Sequence, residues 1–188
     1  MAIEEAAYTL VQKDGEFELR DYAPHVVAET VVAGAFERAG TEAFRALFRY
    51  ISGGNRSRHK VAMTAPVSQA ATGERIAMTA PVEQHPAEDR WAVSFTMPAS
   101  CTLETLPEPA DPQVTLREVP ARRMAALRYS GVWTESSYLR HKTKLESWVR
   151  GRGLAVAGDP VWARYNPPFI PWFLRRNEIL LPVRGDGG

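Results

Sequence analysis

The stretch LRDYAPHVVAETVVAG, Leu19–Gly34, decides the fold because the chain repeats its outline further on. It aligns without gaps with LREVPARRMAALRYSG, Leu116–Gly131, at a constant offset of 97 residues from position 19 to position 116. The coinciding residues are Leu19 with Leu116, Arg20 with Arg117, Ala28 with Ala125, and Gly34 with Gly131. The identities are few, but the same order of elements follows each copy, which indicates one structural unit used twice.

Alternating and β-branched residues predict the strands of each half. The predicted strands lie within Tyr8–Gly34, at Trp91–Met97, at Val161–Tyr165 and at Glu178–Val183. We expect an α+β fold: a distorted antiparallel β-barrel of two pseudo-repeated halves, each running strand, strand, helix, strand, strand, with two flanking helices. It forms a single domain over residues 1–188, with pseudo-repeats at about 8–98 and 113–184.

Apolar residues at helical spacing predict one helix in each half. In the first helix Thr41 is the predicted N-cap, and Gly53 and Gly54 end the helix. Its predicted buried stripe is Phe44, Leu47, Phe48 and Ile51. In the second helix Thr134 is the predicted N-cap, and the predicted stripe is Tyr138, Leu145, Trp148 and Val149.

A shorter repeat follows the first helix. The stretch KVAMTAPVSQAATGERIAMTAPV, Lys60–Val82, holds VAMTAPV at Val61–Val67 and IAMTAPV at Ile76–Val82. The β-branched residues favour strands, and the prolines belong at strand ends because they lack an amide donor. We expect a β-hairpin that acts as scaffold, since these residues offer no strong acid, base or nucleophile.

The composition excludes several classes of protein. Lys and Arg number 23 against 22 Asp and Glu, so no global charge attracts nucleic acid. The lone Cys101 excludes an internal disulfide and fits a reducing compartment. No stretch approaches the ~20 apolar residues of a membrane span, and the acidic N-terminus lacks a signal-peptide pattern. We expect a soluble, cytoplasmic protein with no transmembrane segment and no nucleic-acid partner.

Patterns typical of enzymes are absent from the sequence. There is no Gly-x-Ser-x-Gly elbow, no phosphate loop, no dinucleotide fingerprint and no Cys-x-x-Cys pair. The four histidines, His25, His59, His85 and His141, do not fall at a spacing that favours a zinc or iron site. We predict neither catalytic residues nor a metal site.

The most unusual stretch is YNPPFIPWFLRRNE, Tyr165–Glu178. Three prolines stiffen a connection between two predicted strands, and Arg175 and Arg176 follow its apolar side chains directly. These apolar side chains are Phe169, Ile170, Trp172, Phe173 and Leu174. A stiff apolar loop beside cations suits a flat apolar ligand with carboxylates, a membrane surface or a protein partner. Packing of the loop into the core is the alternative.

Together these motifs closely resemble the SOUL haem-binding protein family. The resemblance rests on ELRDYAP, on KVAMTAPV after a GGN loop and on YNPPFIPWFLRRNE, and it spans about Tyr8 to Val183. It implies that haem or a related tetrapyrrole binds in a surface groove between the first helix and the Pro-rich C-terminal loop. The ligand contacts expected there are Phe44, Arg45, Phe48, Arg49, Phe169, Ile170, Trp172 and Arg175.

Two positions depart from the family pattern. Ile170 stands about where some members carry a lysine, so Arg175 is the expected substitute for that cation. Asp21 stands where other members are proposed to ligate iron through a histidine. We therefore expect tetrapyrrole binding without a strong axial histidine, in a carrier or buffer that is not an enzyme.

Two other classes of function remain open. The duplicated layout also resembles the ligand-binding domains of GyrI-like proteins, whose relatives include hydrolases with a glutamate in the pocket. Glu178 is the nearest candidate for such a glutamate. The remaining class is a protein-interaction module that uses the apolar loop, and the same loop offers a surface for oligomerisation.

Overall fold

The structure, a computed structural model, describes residues 3–57 and 73–185. The first copy of the short repeat, Val61–Val67, and His59 lie outside these residues. The pairing of the two copies as a hairpin therefore stays a prediction. In the second copy, Thr79–Ala80 forms a short strand parallel to the N-terminal Glu4–Glu5.

The two halves of the chain contain the following elements. The first half holds β1 Glu4–Glu5, β2 Tyr8–Asp14, β3 Phe17–Tyr22, β4 His25–Val32, α1 Phe36–Ile51, β5 Asn55–Arg56, β6 Thr79–Ala80, β7 Val82–Ala87 and β8 Arg90–Thr96. The second half holds β9 Glu108–Pro109, β10 Thr115–Val119, β11 Arg122–Tyr129, α2 Glu135–Gly151, β12 Leu154–Val156, β13 Val161–Arg164 and β14 Asn177–Gly185, with a short 3-10 helix at Trp172–Leu174.

Within the described residues, ten strands form one antiparallel sheet. Its order is β10-β4-β8-β7-β13-β14-β11-β3-β2, and β12 pairs with β14 beside this path. From β10 to β3 this order is symmetric about the β7–β13 pair. The strands β3, β4, β7 and β8 of the first half correspond to β10, β11, β13 and β14 of the second half. The first strand of each set pairs with the other half, β3 with β11 and β10 with β4, which confirms the predicted α+β fold of two similar halves.

The offset seen in the sequence is kept in the structure. Strands β4 and β11 begin at His25 and Arg122 and have the same length, so they are related by the offset of 97 residues. Gly34 and Gly131 follow these strands with φ angles of 113° and 151°. Glycine adopts such positive φ angles at little cost, so the backbone conformation explains why both copies of the repeat carry glycine at this position.

Both helices pack on the same face of the sheet. Helix α1 contacts β4 and β8, and α2 contacts β11, β12 and β14. Residues paired across neighbouring strands lie on the same face of a sheet. Val93, which packs in the cluster beneath α1, pairs with Gln84, Gln84 pairs with Trp162, and Trp162 pairs with Ile179 in the cluster beneath α2. We call this face the helix face.

The opposite face is buried although neither helix covers it. Arg20, Glu83, Ser94 and Glu178 lie on this face and are all buried. Their burial fits a sheet that curls over this face, as the predicted distorted barrel does. The curl leaves a seam in the described part of the chain, because the sheet's end strands, β10 and β2, do not pair with each other.

Helix α1 begins earlier than predicted. Ala35 precedes its first residue without a side-chain cap, and Thr41 lies inside the helix, where its hydroxyl donates to the Glu37 carbonyl at 3.4 Å. The prediction of Thr41 as N-cap is therefore wrong. The buried stripe continues toward the N-terminus through Phe36 and Ala39, and the weak apolar character of alanine hid this extension.

The predicted cap of α2 is confirmed, whereas one predicted core residue of α1 is not. The Thr134 hydroxyl accepts a hydrogen bond from the Ser137 amide at 3.3 Å. Phe48 was expected on the buried stripe, but 46% of it is exposed. It lies at the edge of the stripe, where the helix surface turns away from the sheet.

Candidate functional site

The outer side of α1 presents two stacked aromatic rings. Phe44 and Phe48 are one turn apart, and their ring centroids are 5.8 Å apart with planes inclined by 11°. Phe44 is half-buried because its ring meets that of Phe95 at 5.3 Å, inclined by 60°. The core therefore holds the inner ring of the stack, while the outer ring of Phe48 is open to a ligand.

Arg45 and Arg49 flank this aromatic pair on α1. Both are exposed. Arg49 Nη1 lies 3.9 Å from Asp111 Oδ2 in an ion pair whose arginine side chain remains 70% exposed. Because such surface pairs contribute little free energy, Arg49 is available to an anionic ligand at small cost.

The connection between β13 and β14, residues 165–176, is here called the Pro-rich loop. Its large apolar side chains face solvent: Phe169, Trp172, Phe173 and Leu174 are between 57% and 81% exposed. Ile170 is half-buried. Packing of the loop into the core, the alternative raised by the sequence, does not hold for the four exposed residues.

Arg175 holds the Pro-rich loop in shape. Its Nε donates to the Ile170 carbonyl at 2.7 Å, and its Nη2 donates to the Pro168 carbonyl at 2.6 Å. Its guanidinium carbon also lies 4.2 Å from the centre of the Trp133 ring. The sequence predicts Arg175 as a contact for a ligand carboxylate, and here its donors already serve the loop backbone.

Trp133 connects the Pro-rich loop with α1. Arg164 stacks on the same ring at 5.3 Å and on the Trp162 ring at 4.5 Å. Arg164 also packs against Gly40, where an added Cβ would come within 2.1 Å of its Nη2. Gly40 precedes Phe44 by one helical turn, so this contact chain leads from the loop to the helix that carries the aromatic stack. The sequence analysis did not identify these connecting residues.

The eight predicted contacts lie on two elements, α1 and the Pro-rich loop. We call this set the helix–loop surface: Phe44, Arg45, Phe48 and Arg49 of α1, with Phe169, Ile170, Trp172 and Arg175 of the Pro-rich loop. Its apolar groups are exposed on both elements. The contact chain through Trp133 and Arg164 gives the two elements a common base.

The three described histidines and Asp21 all have partners within the protein. Asp21 forms a two-bond ion pair with Arg123 at 2.7 and 2.8 Å. His25 Nδ1 lies 2.9 Å from the Ala23 carbonyl, and His85 Nε2 lies 3.3 Å from Glu29 Oε2. His141 Nδ1 lies 2.7 Å from the Ser137 carbonyl, and its ring stacks on Tyr129 at 3.7 Å. Burial lowers the pKa of His141.

A buried charged cluster lies on the face opposite to the helices. Arg20 donates to both oxygens of Glu178, at 2.6 and 3.1 Å, and Arg176 Nε donates to Oε1 at 3.0 Å. The Tyr165 hydroxyl donates to Oε2 at 2.9 Å, and the Tyr22 hydroxyl accepts from Arg20 at 3.0 Å. We call these five residues the Arg20–Glu178 cluster.

Both oxygens of the Glu178 carboxylate accept hydrogen bonds from residues of this cluster. Burial alone raises its pKa, but the hydrogen bonds from Arg20 and the charges of Arg20 and Arg176 outweigh burial and hold the pKa below its ordinary value. A general base needs a carboxylate that is free to accept a proton from a substrate. Glu178 therefore does not resemble the pocket glutamate of a hydrolase.

Two cavities lie apart from the helix–loop surface. One, of about 370 Å³, lies near the N-terminal segment beside His25, Thr96 and Cys101. The other, of about 530 Å³, lies beside Glu83, Arg117 and Arg122 on the face opposite to the helices. Neither is lined by any of the eight predicted contacts.

Comparison with known proteins agrees with the sequence motifs. Residues 3–182 match the family model of the SOUL heme-binding protein. The chain belongs to the SOUL family. This SOUL chain is 27% identical over 176 residues to heme-binding protein 1 of Xenopus tropicalis, covering 89% of the chain and 84% of the relative. It is 28% identical over 151 residues to heme-binding protein 1 of Mus musculus, covering 77% and 72%.

Solved structures share the fold of this SOUL chain at low sequence identity. The C-terminal domain of EcmrR has a TM-score of 0.65 at 10% identity, covering 95% of this chain and 99% of that chain. A hydrolase from Listeria innocua has a TM-score of 0.63 at 12% identity, covering 93% and 94%. These likenesses concern the fold alone, because function often differs between proteins of one fold. In the described part of the chain, neither helix is long and apolar enough to cross a membrane.

Proposed function

We propose that this protein binds haem or another tetrapyrrole on the helix–loop surface and acts as a carrier or buffer. The observation that carries the proposal is the aromatic stack of half-buried Phe44 and exposed Phe48, flanked by Arg45 and Arg49. Membership of the SOUL family supports the ligand class.

The chemistry of this surface suits a porphyrin. A porphyrin is a flat apolar ring with two carboxylates on one edge, so it gains free energy from stacking on exposed aromatic rings and from leaving water. Phe48, Phe169 and Trp172 provide exposed aromatic area. Arg45 and Arg49 provide donors for charge-assisted hydrogen bonds to the propionates.

Binding on this surface does not require an iron ligand. Asp21, at the position of the axial histidine proposed for some family members, is held by Arg123. None of the three described histidines is among the eight predicted contacts of the helix–loop surface. We therefore propose that porphyrin binding depends little on the metal.

We also propose that the protein is not an enzyme. The candidate carboxylate, Glu178, is buried beneath two arginines and a tyrosine hydroxyl. It lines neither of the two cavities. Exposed contact residues such as Phe48 and Trp172 fit the release that a carrier needs.

Two further expectations extend this proposal. The lone cysteine supports a cytoplasmic carrier, as expected from the sequence. Pairing of two chains through the Pro-rich loop would bury the same side chains that the ligand uses. We therefore expect any dimer to dissociate on ligand addition, as measured by sedimentation velocity.

Titration with haem and with metal-free protoporphyrin IX tests the proposal. We expect a saturable Soret shift with haem and saturable quenching of tryptophan fluorescence with protoporphyrin, at affinities that differ by less than about tenfold. The Arg49→Glu variant should bind both ligands more weakly with an unchanged thermal midpoint. Absence of saturable binding of either ligand by folded protein would refute the proposal.

A further inference from the structure

A second binding site opens on the face of the sheet opposite to the helices. The cavity of about 530 Å³ is lined by residues of β7, β10, β11, β13 and β14 and by residues 157–159. We call it the seam cavity, and its charged or titratable lining residues are Glu83, His85, Arg117, Arg122, Arg123 and Asp159. Glu83 lies on this face because its neighbour Gln84 points to α1, where Gln84 Nε2 donates to the Phe36 carbonyl at 3.0 Å.

Most cations of the seam cavity are neutralised by carboxylates behind them. Arg117 donates to both oxygens of Glu29 at 3.0 and 2.5 Å, and His85 Nε2 lies 3.3 Å from the same carboxylate. Arg123 is paired with Asp21. These two-bond pairs fix the arginine side chains and leave little charge to attract a ligand.

Two charged side chains of the seam cavity, Arg122 and Glu83, have no ion-pair partner in residues 3–57 and 73–185, although the charge of Glu83 acts on nearby Arg117. Arg122 forms no ion pair with any residue of 3–57 or 73–185, and its Nε is buried without a hydrogen-bond partner. Glu83 is only 6% exposed, and in the same residues its carboxylate makes neither a hydrogen bond nor an ion pair. Although both line one cavity, they do not pair with each other.

A charged side chain without an ion-pair partner in the protein can gain free energy from a ligand group of opposite charge. Here the two charges have opposite signs and share a cavity of the size that holds small molecules. A ligand that carries both charges would satisfy both residues at once.

We propose that the seam cavity binds a small zwitterion, with its carboxylate on Arg122 and its ammonium group on Glu83. This site is separate from the proposed tetrapyrrole surface, since it lies on the other face of the sheet. The ligand class follows from the pair of charges: an anion alone leaves Glu83 unsatisfied, and a cation alone leaves Arg122 unsatisfied. Asp159, which is exposed at the cavity, adds a second acceptor for the ammonium group.

A series of amino acids of increasing length provides the probe. Glycine, β-alanine, 4-aminobutyrate and 6-aminohexanoate are titrated calorimetrically into the whole protein, with butyrate and butylamine as probes that carry one charge each. We expect saturable binding with an optimum at one length, and affinity for butyrate and butylamine at least about tenfold weaker. No saturable heat with any member of the series up to about 10 mM would overturn the proposal.

Two variants test the assigned residues. Glu83→Gln and Arg122→Gln should each abolish binding of the best amino acid, while Arg123→Gln should leave it within about twofold. Porphyrin titrations should be the same in all three variants, so failure of this site is distinguishable from failure of the tetrapyrrole proposal. Equal affinity for butyrate and 4-aminobutyrate, unaffected by Glu83→Gln, would show an anion site instead and contradict the zwitterion.

Discussion

The helix–loop surface and the Arg20–Glu178 cluster place their side chains in opposite surroundings. The first leaves large apolar groups in water, with Phe48 and Trp172 about half exposed. The second buries charges in the protein interior, and each of them has partners at hydrogen-bond distance. The helix–loop surface thus leaves apolar side chains without apolar contacts, whereas the charged side chains of the Arg20–Glu178 cluster have their hydrogen-bond partners.

This difference separates binding from stability. An apolar group in water gains free energy when a ligand covers it, so the helix–loop surface has something to gain from a porphyrin. The buried Glu178 carboxylate accepts four hydrogen bonds, so it has little free energy to gain from a substrate. Changes in the cluster should therefore act on folding, and changes on the surface should act on affinity.

The largest effect is expected in the Arg20–Glu178 cluster. Arg20→Leu leaves Glu178 buried with fewer donors, and we expect a loss of about 3–5 kcal/mol in the free energy of unfolding. The double variant Arg20→Leu/Glu178→Leu should lose less than the single variant, because no uncompensated carboxylate remains. Urea unfolding followed by circular dichroism measures both values.

A matched pair on the same strands serves as the control for this prediction. Arg123 of β11 pairs with Asp21 of β3 in an exposed ion pair. Arg123→Leu should change stability far less than Arg20→Leu. Equal losses in the free energy of unfolding from Arg20→Leu and Arg123→Leu would contradict the claim that burial makes the cluster more important for stability than the exposed pair.

The next effect concerns the aromatic stack on α1. Phe48→Ser removes the exposed ring, and we expect porphyrin affinity to fall by roughly tenfold with little change in stability. Leu139→Ser is the matched control, because Leu139 is 48% exposed on the other helix. If Phe48→Ser and Leu139→Ser bind protoporphyrin equally, the stack is not part of the site.

A smaller effect distinguishes two roles of Arg175. If Arg175 shapes the Pro-rich loop, Arg175→Lys and Arg175→Gln should lower the porphyrin affinity by about the same factor, roughly threefold to tenfold. Lysine lacks the planar guanidinium that donates to the loop carbonyls and stacks on Trp133. If Arg175 instead attracts a propionate, lysine keeps the charge and should retain most of the affinity. Fluorescence titration of both variants separates the roles, and full affinity in the lysine variant would contradict the loop role.

The smallest effect is a pH dependence of stability at His85. The hydrogen bond to Glu29 raises the pKa of His85 above its ordinary 6.5, so the stabilising charge is fully present below pH 6.5 and is lost as pH rises through the raised value. Burial raises the pKa of Glu29, but hydrogen bonds from His85 and Arg117 lower it to about 2, so its contribution is lost between about pH 4.5 and 2.

Urea unfolding of His85→Gln beside the natural protein measures the first of these contributions. We expect the natural protein to lose ~1 kcal/mol or less on going from pH 6 to pH 9 relative to the variant. Parallel pH profiles of the two proteins over this range would contradict the assigned pair.

The fold class could be predicted from the sequence because the repeat and the hydrophobic periodicity are both visible in the order of the residues. The offset of Leu19–Gly34 predicted the matching strands β4 and β11, and the Thr134 cap of α2 was read directly. The start of α1 was mispredicted because its first turns present Ala39 and Gly40, which carry little apolar signal.

The contacts between distant residues were beyond sequence reasoning. Arg20 and Glu178 are 158 positions apart and meet only because β11 lies between β3 and β14. Arg20 coincides with Arg117 in the repeat, and in the structure each donates two hydrogen bonds to a glutamate, but the two glutamates are not equivalent in the repeat. The loop role of Arg175 had no signal in the sequence, because its acceptors are backbone carbonyls.

The most direct test of the central claim is a map of amide chemical shifts on addition of metal-free protoporphyrin IX. The ring current of the porphyrin shifts nearby amides strongly, so the map locates the ligand without a variant. We predict that the largest shifts fall in α1 around Phe44–Arg49 and in the Pro-rich loop. Largest shifts around Glu178 or in the seam cavity, with α1 unperturbed, would contradict the helix–loop surface as the tetrapyrrole site.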